Sequence, residues 1–212
     1  LRGLGSAVDL AALAGKTARL ELTAKGCPSA ALADAALVVP GAEPTVTRGE
    51  PPQYIVMIIM DSLRADRVRA FNPKARPEAP TFEKLAETSA LFTTTYVQGN
   101  ESRVSHSSIW TSLYPLVHGN LGDKDKLDTK WTTIDEVAKS AKMYVAGVSG
   151  NGYIRPSKGY GTAWDQYSNH IEEELGLKGA DIFEKGLKWV EAKKEPWFLY
   201  LGTIDTHVSW RG

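Results

Sequence analysis

The sequence predicts an α/β fold, a mainly parallel sheet with helices on both faces, preceded by a short β-rich segment. Short apolar runs alternate with segments of helical periodicity, the pattern of parallel strands joined by crossover helices. Polar residues follow directly behind four predicted strands, namely Asp61, the cluster at Ser102, Asn151, and Asp205 with His207. Because open α/β sheets bind ligands beyond the carboxyl ends of their strands, this placement predicts a functional site.

Composition excludes several classes of protein. The 212 residues carry 25 basic and 25 acidic side chains, so the formal net charge is zero and no general attraction to nucleic acid is implied. No apolar run approaches the length of about 20 residues that spans a bilayer, and no signal peptide stands at the start. The one cysteine, Cys27, cannot form an internal disulfide or a cysteine-rich zinc site.

Residues 1–50 are predicted to be a β-rich accessory segment and linker. Residues 19–22 alternate between polar and apolar side chains, as in a half-buried strand, and residues 36–39 form a second candidate strand. A stretch rich in proline and glycine, from Pro40 to Pro52, marks a boundary. We therefore expect a second domain over residues 51–212, with the first segment resembling the end of a jelly-roll module.

The first strand of that domain is predicted over Tyr54–Met60. Its residues are almost wholly apolar, which favours a central parallel strand buried on both faces. The strand ends in Asp61, and two interpretations of this carboxylate stand side by side. It either holds a metal ion or substrate at the strand end, or caps the turn that follows.

The remaining elements follow from periodicity and capping signals. We predict a helix that begins near Pro80 behind a capping threonine and docks on the sheet, then a β-branched strand that leads to a polar cluster at Ser102. Thr133 and Glu136 have the spacing of a capping box. The predicted elements are the helix 80–89, the strand 91–97, the helix 134–142, the strand 143–148, the helix 180–194 and the strand 197–201.

Several stretches together resemble the amino-terminal half of sulfatases and their relatives in the alkaline phosphatase superfamily. They are residues 58–66, 80–86, 92–97 and 102–119, with 197–207 resembling the family's apolar strand that ends in Asp-Pro-His. The resemblance implies an alkaline-phosphatase-like fold, with residues 51–212 as the amino-terminal part of the catalytic domain. It also implies metal-dependent hydrolysis of sulfate esters, with a nucleophile at position 102.

The resemblance assigns roles residue by residue. Asp61 matches a metal-ligand carboxylate, Ser102 occupies the nucleophile position and contacts the metal, and His207 matches the histidine on the ester oxygens. A hydroxyl is a weak nucleophile until a cation or base activates it, and a helix starting near Ser105 would direct N–H groups at an anion. The other candidates are His106 as a catalytic residue, or as a histidine bonded only to backbone, and Arg103, Asn151 and Lys158 for substrate oxygens.

Cofactor, partners and compartment follow from the same resemblance. It implies Ca²⁺, or Mg²⁺, Mn²⁺ or Zn²⁺ in a phosphatase-type site, and a small-molecule or glycan sulfate or phosphate ester as substrate. The family's remaining metal ligands are expected beyond Gly212, so the rest of the enzyme is an expected partner, and the fragment alone is expected to be inactive. The family is usually exported, which predicts a periplasmic or extracellular location.

The nucleophile motif departs from the sulfatase pattern. Residues 102–106 read Ser-Arg-Val-Ser-His, without the proline and arginine of the C/S-x-P/A-x-R sequence in which the nucleophile becomes formylglycine. Both features are associated with recognition by the modifying enzyme, so the departure argues against formylglycine at Ser102. Three functions stay open: a sulfatase, a phosphohydrolase or phosphotransferase using unmodified Ser102, and a catalytically inactive sulfatase-like protein.

Overall fold

The structure, a computed structural model, describes residues 11–13, 16, 49–122, 124–173 and 178–207. Contacts divide the chain between Thr47 and Arg48. Of the first part, only a short 3-10 helix, Ala11–Leu13, and Lys16 are described, so the strands predicted over residues 19–22 and 36–39 lie outside the described residues. The elements of the second part are the strands β1 Tyr54–Met60, β2 Tyr144–Ser149, β3 Gln166–Asn169 and β4 Trp197–Thr203, and the helices α1 Pro80–Thr88, α2 Ser102–Thr111, α3 Pro115–His118, α4 Ile134–Ser140 and α5 Gly179–Val190.

The four strands form one parallel sheet in the order β1-β4-β2-β3. Met60 at the end of β1 is in register with Thr203 of β4, and Ser149 at the end of β2 is in register with Gly202. The Asp61 N–H continues the ladder by donating to the Thr203 carbonyl at 2.9 Å. The carboxyl ends of β1, β4 and β2 therefore meet at one edge, as the predicted parallel α/β sheet requires.

Helices cover both faces of the sheet because the central strands are apolar on both sides. Val145 and Phe198 pack on one face with Trp110 of α2 and Ala138 of α4. The alternate residues of the same strands pack on the other face against Ile182 and Val190 of α5; they are Ala146, Val148, Leu199 and Leu201. The capping box is present at the start of α4, where the Thr133 N–H donates to Glu136 Oε2 at 2.9 Å.

The position predicted for β1 was wrong. It is an edge strand of the described sheet, and Tyr54, Val56 and Ile58 on one of its faces are each close to half exposed. Apolar composition indicates that a strand is suited to burial on both faces. The position of the strand in the sheet decides whether other elements cover those faces.

The strand predicted over residues 91–97 was also wrong. This segment has no strand, and Phe92 and Tyr96 are 76% and 81% exposed. β-branched and aromatic residues favour a pleated, half-buried surface, so without a pairing partner the preference has no effect. Ser102 therefore follows a coil, and three strand ends rather than four supply the polar cluster.

Two further details differ from the prediction. Helix α1 begins at Pro80 with Ala79 as its N-cap residue, so Thr81 lies inside the first turn and caps nothing, and the helix has no buried residue that would dock it on the sheet. The short strand β3 follows Trp164 and was not predicted, because its sequence Gln-Tyr-Ser-Asn lacks an apolar run. Within the described residues, no helix is long and apolar enough to cross a membrane.

Candidate active site

Asp61 is the centre of the polar cluster at the sheet edge. Its carboxylate oxygen Oδ2 accepts a hydrogen bond from Ser102 Oγ at 2.7 Å and another from Asn151 Nδ2 at 2.6 Å. Ser62 Oγ donates to the second oxygen, Oδ1, at a longer 3.3 Å. Side chains 41 and 90 positions away in the chain thus converge on one half-buried carboxylate.

The backbone of Asp61 is fixed as tightly as its side chain. The Thr206 hydroxyl donates to the Asp61 carbonyl at 2.5 Å, so the turn after β4 is tied to the turn after β1. Ser62, the next residue, has a φ of 62°, in the left-handed region that residues other than glycine rarely adopt. The alternative interpretation of Asp61 as a cap of the turn that follows is wrong, because its carboxylate accepts from the side chains of Ser62, Ser102 and Asn151 and not from a backbone N–H of that turn.

Ser102 is the first residue of α2, which begins three residues earlier than the sequence predicts. Glu101 is the N-cap residue, and its carbonyl accepts the Ser105 N–H at 3.0 Å. The N–H groups of a first helical turn have no partner within the helix, and they carry the positive end of the helix dipole. The nucleophile candidate therefore stands where a helix favours an anion.

His106 lies one turn further along α2 and is 4% exposed. Its Nδ1–H donates to the Ser102 carbonyl at 2.7 Å, so the ring is bonded to backbone and not to the Ser102 hydroxyl through this nitrogen. Burial lowers the pKa of His106, with the Ser102 carbonyl and the Asp61 charge opposing that effect. A neutral His106 held through Nδ1 presents a lone pair on Nε2.

The substrate-binding candidates divide into two groups. Asn151 is in the cluster, and its Oδ1 accepts the Tyr153 N–H at 2.9 Å, which directs its NH₂ group at Asp61. Arg103 is buried, and its guanidinium is engaged by Glu101 Oε2 at 2.5 Å and by the ring of Tyr153, 5.4 Å from the ring centroid.

Lys158 is not part of the cluster. It ends a 3-10 helix, Pro156–Lys158, and its carbonyl accepts the Leu127 N–H at 3.1 Å, away from the residues that line the site. Lys158 does not line the cleft above the cluster, and a contact of its side chain with a substrate oxyanion stays a prediction.

An open cleft of about 650 Å³ lies above the cluster. Asp61, Ser102, Arg103, His106 and His207 all line it. The His207 N–H donates to the Ile204 carbonyl at 3.0 Å in the turn after β4, which brings the residue to the same edge as Asp61. The sequence did not indicate Tyr153, which also lines the cleft, because nothing in its spacing distinguishes it from a surface tyrosine.

The donors at Asp61 suit a hard divalent cation in kind. A carboxylate and a hydroxyl are oxygen ligands, which Ca²⁺ and Mg²⁺ prefer, but these cations take six or more ligands. Over residues 49–122, 124–173 and 178–207, no group of three or more His, Cys, Asp or Glu side chains is placed to hold a metal ion. The described residues therefore fit part of a cation site and do not complete one.

The other two histidines of the domain, His118 and His170, do not line the cleft. His118 accepts the Asn120 N–H at Nδ1 (3.1 Å), so its Nε2 carries the proton and donates to Ser108 Oγ, also at 3.1 Å. His170 is 3% exposed, although its charged sequence context predicts a solvated residue; its N–H donates to the Ser149 carbonyl at 2.9 Å and so extends the pairing of β3 with β2 by one residue.

Comparison with solved structures gives the same fold at low sequence identity. BT4656, described in complex with D-glucosamine-2-N,6-O-disulfate, matches with a TM-score of 0.64, 14% identity, and 74% of this chain against 35% of that chain. The phosphonate monoester hydrolase of Agrobacterium radiobacter matches with a TM-score of 0.61 and 14% identity, over 73% of this chain and 41% of that chain. A protein in the alkaline phosphatase superfamily from Vibrio parahaemolyticus matches with a TM-score of 0.59 and 17% identity, over 75% of this chain and 42% of that chain.

The chain spans less than half the length of each of these three structures. No curated protein sequence matches it. The sulfatase family model matches residues 53–211, which include every residue of the candidate site. Because that match covers most of the chain and the parallel sheet agrees with the alkaline phosphatase superfamily fold, the chain belongs to the sulfatase family.

Proposed function

We propose that this chain carries the nucleophile half of a metal-dependent hydrolase that cleaves sulfate esters, with Ser102 as the nucleophile. The observation that carries the proposal is the 2.7 Å hydrogen bond from Ser102 Oγ to Asp61 Oδ2, which joins a helix N-terminus to a strand end. Family membership supports sulfate-ester hydrolysis, and the described BT4656 complex is with a sulfated sugar.

The residues divide the work of the reaction. Asp61 and Ser102 would hold a divalent cation together with ligands from outside the described residues; a bound cation would neutralise ester oxygens and favour the deprotonated hydroxyl. Asp61 accepts the Ser102 proton in the hydrogen bond and so aligns the lone pairs of Oγ toward the cleft. The first-turn N–H groups of α2 and the side chain of His207 stabilise the developing negative charge of the ester.

Asn151 holds the Asp61 carboxylate in place by donating its NH₂ group to Oδ2. The Tyr153 N–H donates to Asn151 Oδ1 and so fixes the orientation of the Asn151 amide. Arg103 contributes positive charge at the cleft wall, reduced by its ion pair with Glu101. The proposed substrate is a small-molecule or glycan sulfate ester, and the proposed location is periplasmic or extracellular; family membership supports both. We also propose that residues 1–50 form an accessory segment and linker that precede the catalytic domain.

A second candidate, a phosphohydrolase or phosphotransferase, is favoured by one observation. His106 stands where the formylglycine motif has arginine, and its side chain bonds to the Ser102 carbonyl, so the residues that favour modification of Ser102 are replaced. An unmodified serine would attack phosphorus and form a phosphoserine, with the ester's alcohol leaving. The similarity to a phosphonate monoester hydrolase agrees with this alternative.

The test uses the full-length protein, with aryl sulfate and aryl phosphate as substrates and with Ca²⁺, Mg²⁺, Mn²⁺ or Zn²⁺ added or removed. We expect S102A to lose about 10³-fold or more in kcat, and D61N about 10²-fold or more. S140A is the matched control, because Ser140 is an exposed helical serine that bonds only to the Val137 carbonyl. Equal activity of S102A and S140A would refute the role of Ser102.

Intact-mass measurement separates the two chemistries. Loss of two hydrogens at Ser102 indicates formylglycine and a sulfatase, and an unchanged mass with turnover of aryl phosphate indicates the phosphorus chemistry. A full-length protein with no turnover of either ester under any of the four metals would support a catalytically inactive member.

A further inference from the structure

A buried hydrogen-bond network lies beneath the helix that carries Ser102. Its side chains are Ser107, Asn120 and Tyr160, and none of them is more than 1% exposed. Ser107 Oγ is 2.7 Å from the Tyr160 hydroxyl, and Asn120 Nδ2 lies 2.9 Å from Ser107 Oγ and 3.1 Å from the Tyr160 hydroxyl. The Tyr160 hydroxyl is also 2.7 Å from the backbone carbonyl of Arg103.

The direction of each bond follows from counting protons. A carbonyl only accepts, so the single hydroxyl proton of Tyr160 goes to Arg103. The Tyr160 oxygen then accepts from Ser107 and from one N–H of Asn120, while the second Asn120 N–H goes to Ser107 Oγ. Burial raises the pKa of Tyr160 to about 12, with the hydrogen bonds from Ser107 and Asn120 opposing it, so the hydroxyl stays a donor at neutral pH.

Tyr160 and the residue before it are closely packed. The residue before it, Gly159, has a φ of +86°, and a Cβ there would lie 2.1 Å from the Leu127 carbonyl oxygen. The Tyr160 ring packs edge-on against Trp110 of α2, with centroids 6.0 Å apart. Tyr160 therefore contacts α2 through two polar bonds, at the Arg103 carbonyl and at Ser107 Oγ, which lie about one turn apart.

Two contacts one turn apart fix both the position of a helix and its rotation about its axis. Arg103 is the neighbour of Ser102, so a small rotation at this point would move Ser102 Oγ away from Asp61. The same rotation would turn the first-turn N–H groups of α2 away from the cleft. Loss of alignment of this kind lowers the rate of a reaction far more than it lowers substrate binding.

We propose that Tyr160 is a positioning residue for the nucleophile: through the Arg103 carbonyl it fixes the first turn of α2 and so aims Ser102 Oγ and the helix N–H groups at the substrate. The inference rests on the proposed function and assigns a role to a residue outside the cleft. Neither the sulfatase-like motifs nor the spacing of the sequence indicates it.

The experiment compares Y160F with the matched control Y167F in the full-length protein. The Tyr167 hydroxyl also donates to a backbone carbonyl, that of Ile154, but has no bond to α2. We expect Y160F to lose at least about tenfold in kcat with KM within about twofold of wild type, and Y167F to keep both constants within about twofold. Equal kinetic effects in the two variants would overturn the proposal.

Amide hydrogen exchange measures the same claim without activity. We expect exchange at residues 105–107 to quicken about tenfold or more in Y160F relative to Y167F, beyond any change in global stability. Uniform quickening across the sheet and α2 would overturn the positioning role. This readout also separates the two claims, because an inactive wild-type protein would refute the proposed function while the exchange pattern still decides the role of Tyr160.

If Y160F does not fold, S107A replaces it. This variant keeps the Tyr160 bond to Arg103 and removes the two bonds of Ser107 Oγ, to the Tyr160 hydroxyl and from Asn120 Nδ2. It is expected to show faster exchange at residues 105–107 and a smaller loss of kcat. Unchanged exchange and unchanged kcat in S107A would overturn the two-contact arrangement.

Discussion

Replacing Asn151 by aspartate puts a second carboxylate against Asp61. Asn151 Nδ2 lies 2.6 Å from Asp61 Oδ2, and the opposite end of the amide is fixed by the Tyr153 N–H. In N151D the Tyr153 bond can survive, but the group facing Asp61 changes from a hydrogen-bond donor to a negative charge. N151A is the comparison variant: it adds no charge, but it also loses the bond from the Tyr153 N–H that aspartate can keep.

The magnitude follows from these distances. A hydrogen bond to a charged group contributes about 1.5–3 kcal/mol, and both variants lose it. Two like charges about 4 Å apart repel by about 4 kcal/mol at an effective dielectric constant of about 20, and less here because Asp61 is only half-buried. N151A alone loses the Tyr153 bond, which offsets about 1 kcal/mol of this repulsion. We therefore expect N151D to be less stable than N151A by about 1–3 kcal/mol near pH 8.

A divalent cation should reverse this order. The two carboxylates and Ser102 Oγ would supply three oxygen ligands in N151D, and a ligand present at 100 times its Kd stabilises the folded state by about 2.7 kcal/mol. The assay is urea unfolding of wild type, N151A and N151D near pH 8, in chelator and in excess Ca²⁺ or Mg²⁺. Equal stability of N151A and N151D in chelator would refute the placement of Asn151 against Asp61, and equal stabilisation of both by metal would refute the cation site.

Three further outcomes test other parts of the structure. T206V should lower kcat at least about threefold while T206S restores it, because only a hydroxyl can hold the Asp61 carbonyl, and steady-state kinetics of both variants checks this. G159A should cost at least about 2 kcal/mol more unfolding free energy than G119A in urea titrations: both glycines have positive φ, but only at Gly159 does an added Cβ meet backbone. Burial lowers the pKa of His118, so the unfolded chain binds more protons than the folded chain at acidic pH. The free energy of unfolding therefore falls as the pH drops below about 6.5, by at most about 1.4 kcal/mol per pH unit. Urea unfolding at pH 5 and pH 7 should show a smaller difference in unfolding free energy between the two pH values in H118Q than in wild type.

The sequence was sufficient for elements whose signals are local. The apolar runs over β2 and β4 and the capping pair at Thr133 and Glu136 depend on composition and spacing within about ten residues, and each element lies within a few residues of its predicted bounds. Family motifs placed Asp61 and Ser102 as partners before any distance was known. Motifs of this kind encode chemistry that has to meet in space, so they predict a contact that periodicity cannot.

Only the tertiary structure decided which surfaces are covered and which distant groups touch. Residues 91–97 have the composition of a strand and stay exposed, because pairing requires a neighbouring strand that composition cannot supply. The Thr206 and Tyr160 hydroxyls hold backbone carbonyls at Asp61 and Arg103, 145 and 57 residues away in the chain. Since any residue offers a carbonyl, such bonds leave no mark on the partner's sequence and become visible only when the chain is folded.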